Sequence, residues 1–183
     1  VCTLLSWLGW FSIQMYQSHY VAVEVLGGSD GGRKYEKALH WASGGLMASA
    51  VLSWASAILL PFLLRVITRE TVWMCSNALL ALVLMVSPAV RGKAGSLAWQ
   101  ASFGPMYSVT QSVPYSMLAD LADASSEAGA GELMGKVNIG VCIPQLVLAL
   151  VGGPLNAAAG TDVAGFMLGA AGAGAAALIS CFP

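Results

Sequence analysis

The chain has 183 residues, of which 57% are hydrophobic and 9% are charged, and its formal net charge is −1. A soluble domain carries about 25% charged residues, so this composition excludes an ordinary soluble fold. The near-zero net charge excludes a nucleic-acid partner, which would need a basic surface. Apolar side chains that face lipid carry no penalty, so the sequence predicts an all-α protein embedded in a lipid bilayer.

Six apolar segments are long enough, and poor enough in charge, to be predicted as transmembrane helices. In chain order they cover residues 1–20, 41–64, 72–90, 97–118, 137–153 and 163–181. Each backbone amide in the hydrocarbon must bond within its own segment, which favours helices over strands. A short charged joint at 91–96 separates three segments from three, an arrangement that nested repeats produce in secondary transporters.

The first predicted helix carries a stripe of polar and aromatic side chains. Trp10, Gln14, Gln17 and Ser18 fall on one of its faces. Polar side chains inside a span are costly unless they pair or face water, so they are functional candidates. A sugar needs a flat apolar surface for its ring and amides or hydroxyls for its own hydroxyls, and this stripe offers both. The alternative is an interfacial aromatic belt beside a frayed helix end.

A second polar pair lies on the fifth predicted helix. Asn138 and Gln145 are two turns apart on one face. Pro144 cannot donate a backbone hydrogen bond and obstructs the carbonyl of Gly140, so that carbonyl and the Gln145 amide are free to line a cavity. The alternative is that these side chains only hold helices together, at about 0.6 kcal/mol per hydrogen bond.

Two histidines, His19 and His40, change charge near neutral pH when unperturbed. Each lies near a predicted membrane boundary, so both are candidates for a proton relay, and the alternative is a solvated interfacial histidine. The sequence has no HExxH, GxSxG or Walker motif, and its four cysteines form no CxxC pair. We therefore expect neither an enzyme nor a bound metal or cofactor.

Several short motifs occur in an order that is typical of one family of carriers. Residues 6–11, SWLGWF, resemble TWxxWFP; residues 35–47, YEKALHWASGGLM, resemble YxxGVRxGALGLM; and residues 72–77, VWMCSN, resemble VWxxSN. The two most specific motifs contain prolines. Residues 112–120, SVPYSMLAD, resemble SVPYALASE, and residues 131–145, GELMGKVNIGVCIPQ, resemble GxxxGxxNxxxxIPQ and are followed by GGP at 152–154.

Together these motifs resemble the C-terminal half of the sucrose carriers of plants and their fungal and animal proton–sugar relatives. These carriers form the glycoside-pentoside-hexuronide branch of the major facilitator superfamily. The resemblance implies that residues 1–183 are one six-helix, 3+3 half-bundle and that the N-terminal six-helix half is missing. It also implies alternating access, import of sucrose or a related glucoside with a proton, and cytoplasmic loops at 65–71 and 119–136. The expected location is the plasma membrane or the vacuolar membrane.

The residues predicted to contact the sugar are Trp10, Gln14, Gln17, Tyr115 and Gln145. Pro114, Asn138 and Pro144 are predicted to have structural or gating roles. The chain departs from the family pattern at two places. Gln17-Ser18-His19 replaces an acidic DTD-like pair, and His40 replaces the arginine of the GVRxG stretch. The alternative function is therefore a degenerate half-carrier that does not transport and acts as a membrane sensor or assembly partner.

Overall fold

A computed structural model of the chain describes residues 1–29, 32–124 and 130–181. Over these residues the chain forms no strand and six α-helices: α1 (Cys2–Tyr20), α2 (Arg33–Leu63), α3 (Arg69–Met85), α4 (Gly92–Ala124), α5 (Ala130–Ala159) and α6 (Val163–Ile179). A turn of π-helix, Val21–Val25, extends α1, and a turn of 3₁₀-helix, Ser87–Ala89, follows α3. The prediction of an all-α fold with six helices is confirmed.

Three helices extend beyond the predicted apolar segments. Helical residues outside the predicted spans are 33–40, 92–96, 119–124, 130–136 and 154–159. The sequence analysis assigned these residues to loops or to the joint at 91–96. Alanine, glutamate and lysine are good helix formers whatever the solvent, and Glu132 pairs with Lys136 one turn later at 2.7 Å. Helix ends outside the apolar stretch therefore follow helix propensity. Residues 125–129 of the predicted 119–136 loop lie outside the described part of the chain.

The helices pack in a pattern that relates the first three to the last three. The main pairs are α1 with α6, α1 with α5, α2 with α4, α3 with α4, and α3 with α6. Suppose that α1 is exchanged with α4, α2 with α5, and α3 with α6. The α1–α5 pair then becomes the α4–α2 pair, and the α1–α6 pair becomes the α4–α3 pair. The α3–α6 pair maps onto itself. The pairing of the described helices is therefore the one expected for two three-helix units that are related by a twofold axis.

The core at one end of the bundle is a cluster of aromatic rings. Tyr20 and Phe166 meet edge to face at 5.2 Å between ring centroids, and Trp99 lies 5.3 Å from Tyr20 and 4.9 Å from Phe103. The Tyr20 hydroxyl donates a hydrogen bond to the Ser87 carbonyl. Edge-to-face pairs add about 0.5–1.5 kcal/mol each beyond their buried area. These rings fix α1 against α4 and α6.

Glycines let α2 and α4 approach closely. A Cβ at Gly104 would lie 2.8 Å from the Ser53 amide nitrogen and 2.8 Å from the Leu52 Cβ. A Cβ at Gly169 in α6 would lie 2.9 Å from the Ser12 Cβ in α1. Small residues at helix contacts are how bundles in lipid gain packing energy. Both contacts position α1, α2 and α4 around the site described below.

The outer helices expose large apolar side chains. Trp54 on α2 is 69% exposed and Leu150 on α5 is 75% exposed. By length and composition, two of the described helices can cross a membrane, Arg33–Leu63 and Gly131–Ala159, and only 6% and 11% of their most apolar stretches are buried. A helix of this composition in a soluble protein is buried in the core. These faces therefore require lipid or a protein partner.

Adding one methyl group at the α2–α4 contact should destabilise the bundle. We expect Gly104→Ala to lower the thermal midpoint of the detergent-solubilised protein by several degrees, because overpacking costs about 1–3 kcal/mol. Gly44→Ala on α2 is the matched control, since a Cβ there meets nothing within 4 Å. Circular dichroism during heating measures both. Equal midpoints for the two variants would show that the α2–α4 contact is not tightly packed.

Candidate functional site

A cavity of about 190 Å³ lies between α1, α2 and α4. It brings together three of the side chains predicted to contact a sugar, namely Trp10, Gln14 and Gln17. Its remaining lining residues are Ile13 from α1, Leu46, Ser49, Ala50 and Ser53 from α2, and Phe103 and Tyr107 from α4. Three of the four residues of the stripe predicted on the first helix thus line a cavity with aromatic rings, amides and hydroxyls, and Ser18 does not line it.

Trp10 forms a rigid wall of this cavity. Its side chain is 3% exposed, and its indole N–H donates to the Thr110 hydroxyl at 3.0 Å. That hydroxyl donates in turn to the Met106 carbonyl at 3.1 Å. The Trp10 ring meets Tyr107 and Phe103 edge to face, with centroids 5.0 Å and 6.3 Å apart. Because its only donor is engaged, Trp10 offers apolar surface and no hydrogen bond to a ligand.

The polar groups of the cavity come from three helices. Gln17 is buried and Gln14 is exposed on α1, while Ser49 and Ser53 are half-buried on α2. The Tyr107 hydroxyl on α4 accepts a hydrogen bond from the Gln111 amide at 2.6 Å and keeps its own proton to donate. Amides and hydroxyls that converge beside aromatic rings can bind a polyhydroxylated ligand.

Other residues selected from the sequence lie outside this cavity. Tyr115 is half-buried on α4, Gln145 and Asn138 are exposed on α5, and Pro144 is buried. Pro114 lines a larger cavity of about 590 Å³ at the end of the bundle where α1 begins. That cavity is lined mostly by apolar side chains, with Glu70 as its charged member. The smaller cavity is the better candidate site, because a specific site needs a few placed polar groups on an apolar wall.

The two histidines have different surroundings. His40 is exposed on α2. His19 lies at the end of α1, and its Nδ1 is 2.5 Å from the Asp162 Oδ2. The other Asp162 oxygen accepts a hydrogen bond from the Asn156 amide at 3.2 Å. Glu24 accepts one from the Thr161 hydroxyl at 2.6 Å and one from the Asp162 backbone N–H at 2.5 Å. We call His19, Glu24, Asn156, Thr161 and Asp162 the His19 cluster.

Several of these residues were missed in the sequence analysis. Phe103 and Tyr107 follow Trp99 at four-residue intervals, so their shared helix face was visible in the sequence. Glu24 and Asp162 gave a weaker signal. Each is one acidic residue at the edge of an apolar segment, and 138 positions separate them along the chain. Only the packing of α1 against the α5–α6 connection brings them together.

Comparisons with known proteins agree with the motifs. No family model matches the chain. Sucrose transport protein SUT5 of Oryza sativa subsp. indica is 28% identical over 182 residues, covering 85% of this chain and 34% of the relative. Sucrose transport protein SUT2 of the same subspecies is 27% identical, with 84% and 35% covered. Sucrose transport protein SUT3 of Oryza sativa subsp. japonica is 25% identical, with 84% and 36% covered.

The resemblance to sucrose carriers is therefore confirmed at the level of homology. The chain spans about a third of the length of the curated relatives it matches. These relatives are transport proteins rather than enzymes, in agreement with the expectation from the sequence. The transport relatives and the exposed apolar faces of α2 and α5 together support an α-helical membrane protein.

The hydrogen bond of the Trp10 indole gives a test of the cavity wall. We expect Trp10→Phe to lower the thermal midpoint in detergent, because it leaves Thr110 without its donor, and a net hydrogen bond contributes about 0.5–1.5 kcal/mol. Trp54→Phe is the matched control on the outer face of α2, where the side chain is largely exposed. If Trp54→Phe lowered the midpoint as much, the assignment of Trp10 to a fixed wall would be wrong.

Proposed function

We propose that the chain is the six-helix, 3+3 C-terminal half of a major facilitator carrier that imports sucrose or a related glucoside together with a proton. The observation that carries the proposal is the cavity at Trp10, Gln14 and Gln17 in a chain homologous to sucrose transport proteins. The twofold exchange of the helix pairs supports the 3+3 arrangement. The proposed location is the plasma membrane or the vacuolar membrane.

The size of the cavity supports a site shared with a second half. Pockets that hold a whole small molecule measure about 300–1,000 Å³, and this one measures about 190 Å³. In the proposal the cavity forms one wall of the sugar site, near the bilayer midplane, and the N-terminal six helices supply the other wall. Gln145 and Asn138, which are exposed in this chain, face that second half.

The cavity residues have distinct proposed roles. Trp10 presents apolar surface to a sugar ring face, while the amides of Gln14 and Gln17 bond to sugar hydroxyls. Ser49 and Ser53 add hydroxyls from the opposite wall. In the proposal the two halves rock against each other around this site, and a shift of α1 relative to α2 and α4 would change the size of the cavity. Tyr115 and Pro114, further along α4, lie on the proposed path toward the end where α1 begins.

The proposal also assigns the two ends of the bundle. The connection at 65–71 and the described parts of 119–136 lie at the cytoplasmic end. At that end Arg69 bonds to Asp120, which ties the start of α3 to the last turns of α4. The His19 cluster then lies at the opposite end, from which the sugar arrives. Of the two candidates for a proton relay, His19 has a carboxylate partner at that end.

Uptake of radiolabelled sugar by the full-length protein in vesicles tests the proposal. We expect Gln17→Ala to reduce sucrose uptake about tenfold or more, because an unpaired polar group in a closed site costs about 1–3 kcal/mol. Gln14→Ala and Gln145→Ala should reduce uptake less, since both side chains are exposed here. Uptake of maltose and glucose in the same assay identifies the preferred sugar. Repeating each measurement with and without a pH gradient shows whether uptake is coupled to a proton.

Ser53→Ala and Ser43→Ala form a matched pair for the same assay. Both serines lie on α2, but only Ser53 lines the cavity, and the Ser43 hydroxyl bonds to the Leu39 carbonyl of its own helix. Only Ser53→Ala should reduce uptake. Unchanged uptake in Gln14→Ala, Gln17→Ala and Ser53→Ala at normal membrane levels would remove the cavity from the proposal. If sugar uptake were the same with and without a pH gradient, the proposed coupling to a proton would be wrong.

A further inference from the structure

α1 carries two functional faces that point in nearly opposite directions. His19 follows Gln17 by two residues, which places it about 200° further around the helix. Gln17 faces the cavity between α1, α2 and α4, and His19 reaches Asp162 between α5 and α6. A contact that fixes His19 therefore also fixes α1, the helix that forms one wall of the cavity.

The His19 cluster fastens the end of α1 from two sides. Asp162 is the N-cap residue of α6 and is 8% exposed. Its carboxylate contacts His19, while its backbone N–H donates to Glu24 in the π-helical turn that follows α1. Asn156 accepts from the Gly165 N–H at 2.7 Å and so links the end of α5 to the start of α6. The cluster joins these distant segments by hydrogen bonds, beside the ring contact of Tyr20 with Phe166.

The cluster combines acidic and basic side chains. Two carboxylates, Glu24 and Asp162, meet at the start of α6, where the helix dipole offsets part of their repulsion. An imidazolium at His19 supplies the opposite charge. The His19 side chain is 46% exposed, so water can deliver and remove the proton. An imidazolium brings a full positive charge to its bond with the Asp162 carboxylate, and a neutral imidazole lacks that Coulomb attraction.

Other ionisable groups surround this end of α1. Tyr16 and Tyr20 belong to α1 itself, and the Tyr20 hydroxyl bonds to the Ser87 carbonyl. On α2, the Lys34 ammonium lies beside Gly27. Before α4, Arg91 donates to the Pro88 and Val90 carbonyls at 2.7 Å and 2.8 Å. Histidine is the side-chain type whose unperturbed charge change falls between pH 5 and 8.

We propose that His19, Asp162 and Glu24 form a proton-binding site that fastens the end of α1 to the start of α6 when His19 is charged and loosens it when His19 is neutral. The junction tightens as the pH falls from 8 to about 6. The consequence for sugar rests on the proposed function: protonation would restrict the movement of α1 and so regulate the cavity.

Backbone hydrogen exchange of the full-length protein in detergent tests this site without any sugar. We compare the peptide covering 157–166 in the wild-type protein and in His19→Asn at pH 6 and pH 8. Because the two proteins are compared at the same pH, the intrinsic pH dependence of amide exchange affects both equally. We expect wild-type protection to exceed that of His19→Asn by about tenfold at pH 6 and by about threefold or less at pH 8.

Two further variants sharpen the test. His40→Asn removes the exposed histidine and should match the wild-type protein at both pH values. The double variant His19→Asp with Asp162→His keeps one imidazole and one carboxylate, so the extra protection at pH 6 should return. Equal protection in the wild-type protein and His19→Asn at pH 6 would overturn the proton site, whatever the uptake assays show. Extra protection at pH 6 in a protein that takes up no sugar would support the proton site and contradict the proposed function.

Discussion

The packing of α1 between two sets of helices is the constraint on which the rest of the structure depends. One face of α1 meets α6 at Gly169, where a Cβ would lie 2.9 Å from that of Ser12. The other face carries Trp10, which is fixed to α4 by its bond to Thr110. The cavity lies between α1, which is held on both sides, and the closely packed pair α2 and α4, which approach each other at Gly104. A displacement of α1 would change the cavity and the His19 cluster together.

Lipid explains why so apolar a chain can keep this arrangement. Helices satisfy their own backbone bonds, so α2 and α5 can expose large apolar side chains without exposing unpaired amides. Polar groups then become concentrated where helices meet. Gln17 lies in the cavity and Asp162 at the α5–α6 connection. The few polar contacts inside such a bundle are therefore informative about function.

Much of the fold followed from the sequence, and less of the site did. Apolar segments predicted the six helices, because a helix satisfies its backbone hydrogen bonds within its own segment. They underestimated α2, α4 and α5, whose ends follow helix propensity at residues such as Glu132. Helical spacing placed Trp10, Gln14 and Gln17 on the face that lines the cavity, since that depends on α1 alone, whereas Ser18, predicted on the same face, does not line it. The partners of His19 could not be predicted in this way, because Asp162 lies 143 positions away. Whether Tyr115 and Gln145 contact a sugar stays a prediction.

A structure of the full-length protein in a lipid nanodisc with sucrose bound tests the central claim most directly. The account predicts lipid against Trp54 and Leu150 and the sugar between two six-helix halves, with its hydroxyls on Gln14, Gln17 and Tyr107. Sucrose bound away from the α1–α2–α4 cavity, or water around the outer faces of α2 and α5, would contradict it.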